Sequence, residues 1–163
     1  MCECDNPGCQ NNETFFQDQN AKIEQYGHTY LAVMDSEESP GFIYSIGLSE
    51  KGMHDLIFIG ASRPNALNYI AAGVIAQKDG ATLEPGIIEP ETGMNPFKVR
   101  MALVENNALA GTHAFSSARR LEAIESGKPV KIMQVVMPDM DGLFPWEDGY
   151  NWLDQQITEN PFL

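Results

Sequence analysis

Positive charge is scarce in this sequence: ten Lys and Arg stand against 23 Asp and Glu, a formal net charge of −13. Nucleic-acid affinity comes mostly from cations that displace counterions from phosphates, so direct nucleic-acid binding is excluded by such a surface. Cysteine is nearly absent too. The three present, Cys2, Cys4 and Cys9, all fall within the first nine residues, and nothing downstream offers them a disulfide partner. No apolar run approaches the ~18 residues of a membrane span. The start, Met1-Cys2-Glu3-Cys4-Asp5, has neither the basic residues nor the apolar stretch of a secretory signal. These absences predict a cytoplasmic protein with reduced thiols and no membrane partner.

The 163 residues that are there are 43% hydrophobic and 20% charged, the balance of a globular chain. A chain of this length buries roughly 70% of its unfolded surface without needing a staple. No repeat, low-complexity stretch or linker interrupts it, which predicts one domain over 1–163. A Cys-containing segment, 1–11, stands at one end and an acidic, aromatic segment, 138–163, at the other. That last segment carries Asp139, Asp141, Glu147, Asp148, Asp154 and Glu159 with no Lys or Arg. Its Trp, Phe and Pro content predicts that it packs on the core rather than floating free.

Local pattern supplies the elements. Asn12-Glu13-Thr14 before Phe15, Phe16, Ile23 and Tyr26, with Gly27 behind, predicts a helix over 13–26. Strands are predicted at 29–34 and 42–48, antiparallel across a short polar turn, and at 56–59, apolar on both faces and therefore central. Ser62 as cap, Pro64 in the first turn and Leu67, Ile70, Ala71, Val74 and Ile75 at helical spacing predict a second helix that Gly80 ends. Between 83 and 96, Pro and Gly leave at most a short edge strand. Residues 97–104 alternate, predicting a strand with Lys98 and Arg100 on a wet face. A third helix over 115–126 and a last strand over 130–136 complete the set. The expected fold is α+β: a mixed, mainly antiparallel sheet of five or six strands, with about three helices packed mostly on one face.

Four groups of residues carry chemistry worth testing. Cys2, Cys4 and Cys9 with one of His28, His54 or His113 would suit a tetrahedral zinc ion; free thiols are the plain alternative, and no other cofactor is implied. His54 with Asp55, or with Asp139, has the make-up of an acid–base pair. Ser62 and Arg63 precede a helix where backbone N–H groups gather, an arrangement fit for an anion, although Ser62 as a plain helix cap is the favoured reading. Tyr44 and Trp146 are aromatic candidates for ligand contact. Trp146, in the turn Phe144-Pro145-Trp146-Glu147, either plugs the open end of the core or lines a pocket. Asp139 and Asp141 are spaced for a hard cation, but Gly142 and the residues after it break the calcium-loop register.

Several of these pieces together resemble one family. They are Met1-Cys2-Glu3-Cys4-Asp5-Asn6-Pro7-Gly8, the strand Phe42 to Leu48, His54-Asp55-Leu56-Ile57 running to Gly60, Leu83-Glu84-Pro85-Gly86, and above all the block from Gln134 to Glu147. The set resembles the bacterial and phage family catalogued as domain of unknown function 4262, in order and over nearly the whole chain. Two positions depart from its pattern. Cys2 and Cys4 have one residue between them where the family has two, and His54-Asp55-Leu56 stands where the family has His-Pro-Glu-Leu. The resemblance implies one folded unit and brings no activity with it. Residue chemistry favours a non-catalytic binding or regulatory domain that takes a small-molecule ligand or a protein partner around Tyr44, His54, Arg63 and Trp146. The alternatives are a small hydrolase using His54 with Asp55 or Asp139, and an acidic inhibitor of a basic host protein. Oligomeric state is not legible.

Overall fold

In the computed structural model, residues 12–38, 40–60, 65–91, 95–107, 125–128, 130–151 and 161–162 are described. The elements are α1 (Asn12–Tyr26), β1 (Thr29–Val33), β2 (Phe42–Ile46), a 3₁₀ turn at Ser49–Lys51, β3 (Asp55–Ile59), α2 (Ala66–Lys78), β4 (Gly86–Ile88), β5 (Met101–Glu105) and β6 (Ile132–Val136). They form an α+β fold with one mixed six-stranded sheet in the order β1-β2-β3-β6-β5-β4. β3 and β6 run parallel and every other neighbouring pair is antiparallel. The last strand is thus inserted between the two halves of the sheet. All five of its residues are buried, as an interior strand covered on both faces requires.

Strand alternation sorts the core into two layers. On one face, Ile43, Leu56, Phe58, Met133, Val135, Met101 and Leu103 pack with Ile70 and Val74 of α2. On the other, Tyr44, Ile46, Ile57 and Ile132 pack with Ile23 of α1, while Ala102, Val104 and Val136 pack with Phe144. The two described helices therefore sit on opposite faces, which corrects the expectation that helices gather mostly on one. α2 lies on β2 and β3 from one side and α1 packs beside β1 and β2 from the other, so the same half of the sheet is covered on both faces. The expected third helix, 115–126, falls almost wholly outside the described residues.

α2 differs from its predicted pattern. It opens at Ala66, with Asn65 at the cap position in the left-handed region and no side-chain cap bond. Ser62 and Pro64 lie outside the described residues. Its buried face is Ala66, Ile70, Gly73, Val74 and Gln77, while Leu67 and Ile75 are exposed. Gly73 decides the orientation. A Cβ there would run into Leu56 Cδ1 and sit 3.1 Å from the Phe97 ring, so the helix backbone lies directly on the sheet. Alanine normally gains about 1 kcal/mol over glycine inside a helix. Here overpacking, worth ~1–3 kcal/mol, outweighs it. Gly73→Ala should lower unfolding free energy by a net of up to ~2 kcal/mol in urea melts. Ile75→Ala, on the exposed side, should stay within about 0.5 kcal/mol.

β5 also begins later than its alternation suggests. The buried Asn95 accepts from the N–H groups of Phe97 and Lys98 and donates to the carbonyls of Glu89 and Val99, folding 95–99 into a tight turn. Lys98 takes φ +63° within it. The strand proper starts at Met101. Lys98 is exposed and Arg100 partly so, as expected of the wet face, but further along that face Ala102 and Val104 are buried with Phe144.

Candidate functional site

The C-terminal loop after β6 is built around one carboxylate. Asp139 Oδ1 accepts from the N–H groups of Asp141 and Leu143, both at 2.9 Å, and Oδ2 accepts from Asn151 N–H at 3.0 Å. Its own N–H donates to Leu143 O, and Gly142 N–H donates to Asp139 O. A short Asp after a strand is well suited to closing such a loop on itself. Burial by itself pushes the Asp139 carboxyl up, but the N–H groups of Leu143, Asn151, Asp141 and Gly142 together hold it below the ordinary 3.8.

A depressed folded-state pKa means that the charge stabilises the loop above the unfolded pKa and ceases to as pH falls through the folded one. Acid titration followed by near-ultraviolet circular dichroism should therefore show loss of the loop's aromatic signal starting near pH 3.8 and continuing below it. In Asp139→Asn that limb should flatten.

The loop delivers two aromatic rings. Phe144 is 1% exposed and fills the space over Ala102, Val104 and Val136. Trp146 stacks on it with centroids 5.0 Å apart and planes 10° apart, and remains partly exposed. Phe162 meets Trp146 at a right angle, with ring centroids 5.9 Å apart. Arg100 lies over the Phe144 ring at 5.0 Å, donates Nη1–H to Gly142 O at 2.9 Å, and pairs through Nε with Glu89 Oε1 at 3.0 Å. Glu147 Oε2 accepts from Phe144 N–H at 2.7 Å, and Glu147 N–H donates back to Phe144 O. The turn is locked at both ends. Between plug and pocket wall, the two roles fall to different rings: Phe144 is the plug, and Trp146 is a stacked ring held at its rim.

A second constellation lies where β3 starts and β5 ends. His54 is clasped through its backbone by Gln77 of α2, whose amide accepts from His54 N–H at 2.9 Å and donates to His54 O at 3.0 Å. The imidazole Nε2 stands 3.6 Å from Glu105 Oε1, and Asn107 Nδ2 donates to that same oxygen at 3.3 Å. Asp55 points elsewhere. Only 2% exposed, it accepts from Ser45 Oγ–H and Leu48 N–H at 3.1 Å and from Ser49 N–H at 3.5 Å. Ser49 Oγ lies 3.0 Å from Asp55 Oδ2 and 2.8 Å from Lys131 O, and its one proton serves either. The carboxylate beside His54 in space is thus Glu105, not Asp55 or Asp139.

The remaining candidates separate as follows. Tyr44 is buried in the α1-side core beside Phe42, with ring centroids 5.9 Å apart. Ser62, Arg63, Cys2, Cys4 and Cys9 lie outside the described residues, and the anion and zinc proposals with them. Among the described residues there is no group of three or more His, Cys, Asp or Glu side chains placed to hold a metal ion. No helix among them is long and apolar enough to cross a membrane. Glu105 and Arg100, each of which joins one of the two constellations in space, belong to no site motif in the sequence. One polar signal for Glu105 is legible: it ends the apolar run Met101–Val104, which marks a strand's mouth.

Fold and site together define a small α+β protein in which one mixed sheet is capped by an aromatic loop that follows its inserted last strand. The family model for a domain of unknown function, DUF4262, matches residues 22–151, and the chain belongs to that family. The matched span runs from the last turn of α1 to Asn151, the residue whose N–H closes the Asp139 loop. No curated protein and no solved structure matches the chain.

Proposed function

We propose that this chain is a non-catalytic binding module of the cytoplasm, one that takes a small ligand or a segment of a partner protein on the Trp146 ledge. The observation that carries it is the stacked pair. A partly exposed indole lies parallel to a buried ring and is held by Glu147, Arg100 and the Asp139 loop. Binding orders side chains at a cost, and a ring already fixed avoids most of it. Rigid Trp and Arg are the side chains that most often dominate recognition. The −13 charge supports a partner other than nucleic acid. Asp139 turns inward, which removes one of the charges that an acidic inhibitor would present.

A second reading has one observation in its favour, the His54–Glu105 approach at 3.6 Å, which supplies an imidazole with an orienting carboxylate. One experiment separates the two. The ¹⁵N-labelled protein is screened by heteronuclear NMR against aromatic and aliphatic fragments and short peptides. Shifts that cluster on Arg100, Trp146 and Phe162, and vanish in Trp146→Ala with the fold retained, support the ledge. Shifts clustered on His54, Gln77 and Glu105 overturn it in favour of acid–base chemistry there.

A further inference from the structure

Gln134 is the one polar side chain of β6, and it is 1% exposed. Its Oε1 accepts from Asn106 Nδ2 at 3.3 Å. Its Nε2 has no acceptor among the described residues. Strand register places this amide. Leu31, Tyr44, Ile57, Gln134 and Val104 form one row across β1, β2, β3, β6 and β5. Neighbours in such a row stand about 4.8 Å apart. Gln134 therefore has Ile57 on one side and Val104 on the other, with Ile132 and Val136 two residues away along its own strand, all buried.

The two apolar clusters of this face meet at Gln134 without including it: Tyr44, Ile57 and Ile132 belong with α1, and Val104 and Val136 with Phe144. The two unused Nε2 donors oppose folding at that position, because they give up water with no acceptor in return, while Oε1 keeps only the bond from Asn106. An apolar side chain of the same length would serve the fold better. A buried group kept against stability calls for a partner outside the fold.

We propose that Gln134 marks an interior ligand site, separate from the Trp146 ledge, that takes an uncharged small molecule. Its carbonyl oxygen accepts from Nε2, and its apolar body lies against Ile57 and Val104. An uncharged ligand follows from the surroundings. Phe42, Tyr44, Ile46, Ile57, Ile59, Ile132, Val136, Ala102 and Val104 share this face of the inner strands, and no cation stands among them to pair an anion. The row also gives Tyr44 a place, two strands from the amide, as part of the floor around the site rather than a surface contact.

The test uses the full chain, ¹⁵N-labelled, with the Gln134 side-chain NH₂ pair assigned by its disappearance in Gln134→Met. Neutral carbonyl compounds (N-methylacetamide, 2-pyrrolidinone and uracil) are titrated in. The expected result is a saturable downfield shift of that pair, with Overhauser contacts from the probe to Ile57 and Val104 methyls, all lost in Gln134→Met. Without probe, Gln134→Met should raise the melting temperature by about 2–8 °C, since it removes an unpaired buried donor while the partly exposed Asn106 amide that it releases can turn to water. A lower melting temperature, or failure of that variant to fold, overturns the proposal, because the amide would then be satisfied within the protein. An NH₂ pair that contacts only a bound water and shifts with none of the three probes also overturns it.

Discussion

Asp55→Ala should lose about 3–5 kcal/mol of unfolding free energy, since each buried donor left without an acceptor costs ~1–3 kcal/mol and such costs add incompletely. The carboxylate gathers Ser45 from the end of β2, Leu48 and Ser49 from the 3₁₀ turn, and through Ser49 Oγ the Lys131 backbone that leads into β6. Asp55 N–H donates to Lys131 O in the same place. The parallel β3–β6 pairing begins at this point, with Asp55 opposite Ile132. Removing the carboxylate therefore loosens the β2–β3 connection and the seam between the two halves of the sheet together. For a domain of ordinary stability, about 5–15 kcal/mol, that is a large share. Urea melts give the magnitude, and amide exchange at Leu48, Ser49 and Lys131 shows whether the damage is local. Asp55→Asn should fall between, because one oxygen still accepts while the new NH₂ faces N–H donors. Wild-type melting in Asp55→Ala would mean that the carboxylate does not hold this seam.

This hub also explains why His54-Asp55 misleads as a motif. Adjacent residues in a strand point to opposite sides, so a histidine and its neighbour rarely share a task. The position that meets His54 lies on β5, some fifty residues on, and only topology brings it there. Much of the sheet was legible for the opposite reason. β1, β2 and the central β3 are short apolar runs separated by polar turns, and their pairing is local. The insertion of β6 beside β3 is a long-range contact for which the sequence carries no local signal. α2 was recognisable as a helix, but its orientation was not, because the helix is apolar nearly all round. What selects the inward face is Gly73, an absence of side chain that hydrophobic periodicity does not register. The late start of β5 traces to Asn95, whose side chain outcompetes strand pairing for four backbone groups.

The C-terminal loop offers the sharpest contrast between neighbouring residues. Phe144→Ala should lower stability by ~3–5 kcal/mol, the range for emptying a fully buried aromatic site. The ring covers Ala102, Val104 and Val136, and Arg100 lies against it, so a cavity there touches β5, β6 and the Arg100–Glu89 pair at once. Trp146→Ala should cost less. Its ring is only partly buried, and what it loses is the stacking on Phe144 and the edge contact with Phe162, each worth ~0.5–1.5 kcal/mol, plus a fraction of its own burial. A larger residue in the same turn thus matters less to the fold than a smaller one two positions earlier. That ordering would be peculiar for a ring kept only to close the core, and it is the ordering expected of one held at the rim for contact with something else. Thermal melts of both variants, read at the far-ultraviolet signal, decide it. Equal losses would make Trp146 part of the plug and leave the ledge without its main support. A near-silent Trp146→Ala beside a crippled Phe144→Ala leaves the indole free to serve recognition.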